Sequence, residues 1–488
     1  MRPRLLPVAV VAAGCLLLAG SGSANTSAGW LLPNLDLAST RALQASGIDR
    51  SNVGTLHVAW RFRFRAPPGD SGSFTATPIV AGGIVYVEDM LSNVWALDLA
   101  TGHIRWRHLF NATAQGPNGL AVAGGRVFGT TDSGAFALDA RTGRTLWRRF
   151  LVTAQARFVE TAPQAADGLV YLSTIGIPPN GRGILYALDA RTGKIRWQLD
   201  TIKGPWAHPY LAGGGGAWYP PSLAAHRLYW GTANPYPYGG SRALPNGAAF
   251  KGPAFYTDSL LALIPRTGHL AWYDQVTPHD VRDYDFQLPP IVGNAGKRPA
   301  VFGAGKAGRV IAWDRESHKR LWETEVGIHR NDRGSLPRRP VEVCPGLLGG
   351  VETPMASADG RLFVPVVDLC MRGSSTGYEP LARVDVAGRG RGELVALDTA
   401  TGKVAWTVHL PQPDFGCATA AEGVVFTTTY DGTVLGLSTA DGSVLWRSTL
   451  RAGVNACPAL ARGWLLVGAG VSRGHGSVRE LTSFRLAR

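Results

Sequence analysis

Two acidic side chains in residues 277–285 are the place where residue type and spacing most directly suggest chemistry. Asp283 and Asp285 stand one residue apart in a polar stretch that follows Trp272. If the backbone there is irregular, both carboxylates can reach one hard cation such as Ca²⁺. A carboxylate beside a cation also suits the role of general base for an alcohol proton. Taken alone, such a pair in a loop is more often solvated or capping.

A repeated motif predicts the elements that position this stretch. The unit reads Ala-Leu-Asp-x-x-Thr-Gly-x-x-x-Trp, and successive terminal Trp residues lie 41, 50, 75, 50, 84 and 40 residues apart. Copies at such a period indicate a repeat protein. The good copies end at Trp106, Trp147, Trp197 and Trp406, and degenerate copies end at Trp272, Trp322 and Trp446.

Each copy predicts a β-hairpin within a larger sheet. In the copy that ends at Trp106, Asp98 can accept bonds from backbone N–H groups of the following turn, and Gly102 supplies the positive φ that such a turn needs. The Trp is too large to bury on one isolated sheet, so we expect it to pack against the next copy. Two upstream strands, at 76–80 and 84–87, complete a four-stranded propeller blade.

The two ends of the chain predict how the ring closes. Residues 58–60 end in Trp60, which lies 46 residues before Trp106 and has no Asp-x-x-Thr-Gly before it. At the other end, 457–460, 464–467 and 480–486 resemble three strands that lack a fourth. The sequence therefore predicts an all-β, eight-bladed β-propeller of four-stranded antiparallel blades, closed by pairing of N- and C-terminal strands, which would hide the sheet edges.

The first 24 residues predict an export signal, followed by a single propeller domain over 25–488. Arg2 and Arg4 precede an apolar run at 8–18, and residues 22–24 are a small-residue cleavage site. The run is too short to predict a membrane span. Lipid attachment at Cys15 is the alternative. We expect a periplasmic, extracellular or envelope-associated protein.

The charge of the chain gives little support for a nucleic-acid partner. The formal net charge is +14 with 17% charged residues. However, Lys and Arg do not form a dense run interleaved with aromatic residues. We therefore favour a solvated basic surface and predict that the chain binds no nucleic acid.

Removal of the leader leaves four cysteines, an even number in an exported chain. Cys344 and Cys370 flank the first two strands of one predicted blade, while Cys417 and Cys457 begin equivalent strands of adjacent blades. We therefore predict the disulfides Cys344–Cys370 and Cys417–Cys457, with buried free thiols as the alternative. The sequence contains no Cys-x-x-Cys-His motif for a covalently attached haem.

Two repeats carry long insertions, at 204–256 and 331–392, which are rich in Gly, Pro, Asn and aromatic residues. Insertions in propellers tend to collect on one face as functional loops. Decorative loops are the alternative.

Over nearly the whole mature chain, the sequence resembles the quinoprotein alcohol dehydrogenases, which hold pyrroloquinoline quinone (PQQ) and a metal ion at the centre of an eight-bladed propeller. The resemblance begins at 52–60 and continues through the Trp-bearing hairpins. The segment 231–235 is similar to the family's metal-binding segment, and 277–285 is similar to its catalytic stretch. The resemblance implies Asp283 as the base, and Asn234 and Asp283 as metal ligands. Asp285 falls where lanthanide-using members carry an extra Asp.

The same resemblance implies two residues that contact the cofactor. The segment 213–218 looks like the one whose Trp forms the floor beneath the quinone, which implies Trp218. Lys306, in a Gly-Lys-Ala-Gly sequence, is similar to a basic residue that contacts the quinone. Alone, Trp218 would be read as a core residue and Lys306 as a solvated one.

Several family positions differ in this chain. The adjacent Cys-Cys pair expected above the quinone falls in 112–115, which contains no Cys, and the Arg that follows that pair is absent. Thr75 stands where a quinone-contacting Glu is expected, and 177–180 lacks the expected metal-binding Glu. Arg282 replaces the Trp usual before the catalytic Asp. The wall opposite blade four has therefore changed.

These features lead to two hypotheses. The first is an exported PQQ-dependent dehydrogenase that oxidises an alcohol or sugar with PQQ and Ca²⁺ or a lanthanide ion, and passes electrons to a separate acceptor. The second is a cofactor-free propeller that serves as a binding or assembly scaffold in the cell envelope. Retention of Asn234, Asp283, Asp285 and Lys306 favours the enzyme, and the changed wall favours the scaffold.

Overall fold

The structure, a computed structural model, describes residues 29–64, 74–114, 116–153, 158–159, 161–177, 180–204, 206–250, 252–471 and 478–487. Within these ranges, eight antiparallel four-stranded units form the blades of a β-propeller, as the repeat predicted. The predicted leader over 1–24, with Cys15, lies outside the described residues. No helix among the described residues is long and apolar enough to cross a membrane.

The first four blades follow one another along the chain, and blades three and four contain the site segments predicted at Trp218 and Asn234. Blade one consists of β2 (Ile79–Ala81), β3 (Ile84–Glu88), β4 (Val94–Asp98) and β5 (Ile104–His108), and blade two of β6 (Ala121–Ala123), β7 (Arg126–Thr131), β8 (Gly134–Asp139) and β9 (Thr145–Phe150). Blade three consists of β10 (Gln164–Ala166), β11 (Leu169–Ser173), β12 (Arg182–Asp189) and β13 (Ile195–Asp200), extended by β14 (Gly213–Gly215) and β17 (Pro235–Tyr236); blade four consists of β15 (Ser222–Ala224), β16 (Arg227–Gly231), β18 (Ser259–Leu263) and β19 (Leu270–Gln275).

The remaining blades complete the ring, and the last takes one strand from each end of the chain. Blade five consists of β20 (Ile291–Ala295), β21 (Arg298–Ala304), β22 (Arg309–Asp314) and β23 (Arg320–Glu325), and blade six of β25 (Ala356–Ala358), β26 (Arg361–Asp368), β29 (Arg391–Asp398) and β30 (Val404–Leu410). Blade seven consists of β31 (Thr419–Ala420), β32 (Val424–Thr428), β33 (Thr433–Ser438) and β34 (Val444–Thr449); blade eight consists of β35 (Ala459–Ala461), β36 (Trp464–Ala469), β37 (Glu480–Arg485) and β1 (His57–Arg63). The pairing of β1 with β37 confirms the predicted closure.

The insertions contain short elements of their own. A small sheet joins β24 (Val341–Val343), β27 (Met371–Ser374) and β28 (Gly377–Tyr378), beside a helix, α1 (Val386–Arg389). Short 3₁₀ turns occur at Val53–Thr55, Pro209–Leu211, Pro245–Gly247 and Leu381–Arg383. Asn246 joins the two insertions, because its backbone N–H donates to the Ser375 carbonyl and its amide bonds the backbone of Leu336.

Both predicted disulfides are present. Cys344 and Cys370 join the chain just beside the paired strands β24 and β27, with Cα atoms 4.5 Å apart. Cys417 and Cys457 join the segments that enter the first strands of blades seven and eight, with Cα atoms 5.0 Å apart. The second bridge therefore links adjacent blades close to the ring's axis.

A tryptophan contact links each blade to the next, as the motif predicted. Trp106, at the outer strand of blade one, donates its indole N–H to the Ala140 carbonyl in a turn of blade two, at 3.0 Å. The backbone of Gly143 in that turn packs directly against the indole ring. A Cβ at this position would stand only 2.5 Å from a ring carbon, so the contact requires glycine. Asp139 holds the turn by accepting from the backbone and hydroxyl of Thr142.

We expect Trp106→Ala to lower the free energy of unfolding by about 3–5 kcal/mol, because it removes ring packing and leaves the Ala140 carbonyl without its donor. Trp106→Phe, which keeps a ring but loses the N–H, should cost less. Denaturant unfolding measures both, with the exposed Val404→Ala as a control expected within about 0.5 kcal/mol of wild type. A loss below about 1 kcal/mol for Trp106→Ala would place this contact outside the stabilising core.

The first strands of the blades line the axis, because first strands of adjacent blades contact one another. An axial segment, residues 30–49, runs across them beside that axis. Its backbone forms hydrogen bonds with the first strands of blades one, two, four, five, six and seven: Trp30 with Val80, Leu31 with Val122, Leu37 with Leu223, Ala38 with Val292, Thr40 with Ser357, and Arg41 and Leu43 with Ala420. The segment therefore closes the axial opening, a role that its sequence did not indicate.

Arg41 anchors the axial segment. Its side chain is fully buried and lies over the Trp30 ring, with 5.1 Å from guanidinium carbon to ring centroid. All the recorded acceptors of the guanidinium are neutral. They are the carbonyls of Ala418, Pro33 and Pro458, the Asn34 amide oxygen and the Thr419 hydroxyl. Burial lowers the pKa of Arg41 to about 9, so the group stays charged at neutral pH.

Arg41→Met should destabilise the protein by about 3 kcal/mol, because it leaves several buried acceptors without donors. Arg50→Met is the matched control, since Arg50 follows the same segment but is exposed, and its effect should stay within about 0.5 kcal/mol. Thermal and denaturant unfolding of the two variants test this role. Equal stabilities would show that the axial segment is held by its backbone bonds alone.

Candidate active site

The strand order places every segment of the predicted site on one face of the ring. In each antiparallel blade, the entry to the first strand and the turn between the second and third strands share a face, and the Asp-x-x-Thr-Gly turns lie on the other. Trp218 and residues 276–290 precede first strands, whereas Asn234 and Lys306 follow second strands. Both long insertions start from the same face, so the functional-loop interpretation is consistent with their position.

A run of glycines brings the Trp218 segment against the Asn234 segment. Strand β14 pairs with β12 in parallel and with β17 antiparallel, and the Gly215 N–H donates to the Asn234 carbonyl at 2.8 Å. Gly214 has a φ of 89°, and a Cβ there would lie 2.3 Å from the same carbonyl oxygen. Only glycine permits this approach.

The 280–285 loop is shaped by Asp280. Its two carboxylate oxygens accept from the backbone N–H groups of Arg282 and Tyr284, each at 2.7 Å. The Arg282 guanidinium points away from the site to the backbone carbonyls of Asn331 and Arg333. Within this clamped loop, Asp283 adopts a φ of 67°, a left-handed conformation that Asp and Asn tolerate better than most other residues with a side chain.

Four of the predicted site residues meet in one buried cluster. The Lys306 ammonium lies 2.8 Å from Asp283 Oδ2 and 2.6 Å from Asp285 Oδ2. The Asn234 side-chain amide donates to Asp283 Oδ1, and its backbone N–H donates to Asp285 Oδ1, both at 2.8 Å. The Asp285 side chain is 1% exposed, whereas those of Lys306 and Asp283 are 10% and 16% exposed, so the cluster is buried but not sealed from solvent.

The charges of the cluster shift one another's pKa values. Burial raises the pKa of Asp283 to about 6, with Lys306 opposing this shift and Asp285 adding to it. Burial alone would lower the pKa of Lys306, but the nearby carboxylates outweigh it and raise that pKa well above its usual range. Near neutral pH, Lys306 is therefore charged and Asp283 is mostly an ionised base.

Further buried acids surround the cluster. Asp258 is fully buried, neither of its carboxyl oxygens has a donor, and burial together with Asp280, Asp285 and Asp283 raises its pKa well above its usual range. Burial raises the pKa of Asp280 to about 7. An excess of acid over base in a buried site is a cost that a bound cation would offset.

Of the cluster, Lys306 lines a cavity of about 190 Å³ on the ring's axis. Its other walls come from the residues that enter the first strands of blades one, two, four, five, six, seven and eight. Trp218 and Lys306 both line it, and the Trp218 indole N–H is buried without a partner. Such a cavity at the ring's centre, with an aromatic wall and convergent polar groups, has the features of a ligand site.

The oxygen atoms of the cluster suit a hard cation as ligands. Each oxygen of the Asp283 and Asp285 carboxylates accepts one recorded donor, and a carboxylate oxygen has two lone pairs, so each retains capacity for an ion. Asn234, Asp283 and Asp285 are oxygen ligands of the kind that Ca²⁺ prefers. The unpartnered Trp218 N–H and the Lys306 ammonium fit a flat, anionic ring system such as PQQ.

The altered positions also lie at this cavity. Thr75 lines it, as does Gly116, immediately beyond the stretch that lacks the Cys-Cys pair. The metal-binding Glu was expected in 177–180, of which residues 178 and 179 lie outside the described residues. Sequence reasoning missed several lining residues, among them Glu352 and Gln287, because neither belongs to a local motif. Both precede the first strand of a blade, which was the available signal.

Comparisons with known proteins agree with this geometry. A family model described as outer membrane protein assembly factor BamB, built on PQQ repeats, matches residues 110–343 and 345–479. A model described as the β-propeller domain of glucose, ethanol and alcohol dehydrogenases matches 30–122. The chain belongs to the PQQ-repeat family that includes the PQQ-dependent alcohol dehydrogenases.

Individual members of the PQQ-repeat family resemble the chain over most of its length. Quinohemoprotein alcohol dehydrogenase ADH IIB of Pseudomonas putida is 28% identical over 93% of this chain and 74% of its own. The lanthanide-dependent methanol dehydrogenase of Methylacidiphilum fumariolicum is 26% identical over 87% of this chain and 81% of its own. The crystal structure of quinohemoprotein alcohol dehydrogenase from Comamonas testosteroni superposes with a TM-score of 0.80 at 22% identity, over 95% of this chain and 82% of that one, which supports the fold.

Proposed function

We propose that this protein is an exported PQQ-dependent dehydrogenase that oxidises the hydroxyl group of an alcohol or sugar and passes electrons to a separate acceptor. The observation that carries the proposal is the convergence of Asn234, Asp283, Asp285 and Lys306 in one buried cluster. Lys306 of this cluster lines the axial cavity together with Trp218. These residues come from separate segments of the chain, so the fold, and not their proximity in sequence, brings them together.

The residues of the chain have separate roles in the proposed reaction. A bound quinone with its metal ion would supply the hydride acceptor and a polarising charge. Asp283 accepts the substrate's hydroxyl proton, and its ionised state near neutral pH suits it to this role. Lys306 holds positive charge beside the carboxylates and stabilises negative charge that develops in the cavity. Asn234, Asp283 and Asp285 would hold the cation, and Trp218 would support the plane of the cofactor.

The alternative is a cofactor-free scaffold in the cell envelope. One observation favours it: Lys306 already pairs with both carboxylates, so the cluster is partly neutralised by the protein itself. The match to the BamB model is consistent with either function, because a fold does not fix chemistry. Binding of PQQ and metal separates the two hypotheses.

The deciding experiment is calorimetric titration of Ca²⁺ and La³⁺, each with and without PQQ, into the purified protein. We expect metal binding that is tightened by PQQ, together with the absorption spectrum of a bound quinone. Asp132→Asn, an exposed position away from the cavity, serves as the control and should bind as wild type does. No binding of either ion in the presence of PQQ would leave the scaffold hypothesis.

Asp285→Ala should weaken La³⁺ more than Ca²⁺, by about tenfold, because a trivalent ion gains more from each added carboxylate. The same titration measures this ratio directly and requires no substrate. Equal losses for the two ions would show that Asp285 does not determine which cation binds.

Asp283→Asn should lower turnover by more than about 100-fold while measurable metal binding remains, because Asn keeps an oxygen ligand but cannot accept the proton. A panel of primary alcohols and sugars with an artificial electron acceptor supplies the assay. Turnover within about threefold of wild type would remove Asp283 as the base.

A further inference from the structure

Glu352 is a cavity residue to which the site described above assigns no role. It precedes β25, and its Oε2 accepts from the Gln287 side-chain amide at 3.0 Å. Its Oε1 is buried and has no partner. Among the described residues that line the cavity, Glu352 is the acid and Lys306 is the base. A held carboxyl group with one unpartnered oxygen at a cavity wall indicates a contact to a ligand.

Charged groups face Glu352 from several sides. Burial raises its pKa to about 7, with Lys306 opposing the shift and Asp285 and Asp283 adding to it. Tyr219 donates its hydroxyl to the Glu352 backbone carbonyl at 3.3 Å and also interacts electrostatically with Arg41 of the axial segment. The carboxyl group therefore changes charge close to neutral pH, whereas Lys306 remains positive.

We propose that Glu352 contacts bound PQQ as a neutral carboxylic acid and donates a hydrogen bond to it, so that cofactor binding tightens as the pH falls. This inference rests on the proposed function, since it assumes that PQQ occupies the cavity. The physical reason is charge. PQQ is a polycarboxylate, and an ionised Glu352 would repel it across a site with little water, where such repulsion is strong.

Protonation also changes what the group can donate. An ionised carboxylate only accepts hydrogen bonds, whereas a protonated one supplies an O–H. Gln287 binds Oε2 in either state, so the side chain keeps its position while Oε1 gains or loses its repulsive charge. Glu352→Gln imitates the neutral form, because its amide has nearly the same shape and supplies an N–H donor at every pH.

The test is a PQQ titration, followed by quenching of tryptophan fluorescence, at fixed Ca²⁺ between about pH 5.5 and 8.5. For wild type we expect the dissociation constant to rise by about tenfold across this range, with the midpoint near 7. For Glu352→Gln we expect a smaller rise and tighter binding than wild type at high pH. The titration of Asp283 and Asp280, with pKa values of about 6 and about 7, is common to both proteins, so only the difference between them reports on Glu352. Glu342→Gln, an exposed acid on an insertion, is the control and should follow wild type.

The outcomes separate this inference from the proposed function. The same pH dependence in wild type and Glu352→Gln would overturn the role of Glu352 while leaving PQQ binding intact. Weak binding by Glu352→Gln at every pH, in a variant whose thermal unfolding matches wild type, would also overturn it, because it would show that the ionised form is needed. No binding by wild type at any pH would instead remove the proposed function itself and this inference with it.

Discussion

The contact between an outer-strand tryptophan and the turn of the next blade is the interaction on which the rest of the structure depends. Indole N–H groups donate to carbonyls of the following blade at Trp60, Trp106, Trp147, Trp197, Trp322, Trp406 and Trp446. The last of these reaches Leu56, just before β1, and so helps to close the ring. Each contact uses a Trp too large for its own sheet, which makes one blade's packing depend on its neighbour.

Trp272 is the exception among these contacts, and it shows which feature of the turn the contact requires. Trp272 of blade four instead stacks on His318, with ring centroids 4.9 Å apart and an interplanar angle of 19°. His318 occupies the position of the motif's glycine and keeps its left-handed conformation, with a φ of 62°. The turn therefore conserves its backbone shape and the flat surface against the indole, although the residue has changed.

The local repeat made the fold predictable, but the convergence of the site was predictable only in part. Asp98 and Gly102 specify a turn by themselves, so the blade could be inferred from a short window. Lys306 and Asp283 meet across a chain separation of 23 residues, and only their order along a known family's sequence indicated it. For Arg41 and Glu352, neither a local motif nor the order of a known family's residues indicated a role. Arg41 binds acceptors as far along the chain as Pro458, and no periodic pattern marks its segment.

The cost of the acidic cluster is itself an argument about function. Asp258, Asp280, Asp283 and Asp285 interact with one another at short range, and Asp258 is buried without donors. The hydrogen bonds of Asp280 and Arg282 hold the 280–285 loop in its conformation. A partner that bound at the surface of the ring would not offset the cost of burying this unpaired acid. A cation and an anionic cofactor at the axis would offset both the excess carboxylates and the unpartnered indole N–H, so the energetic imbalance favours the enzyme over the scaffold.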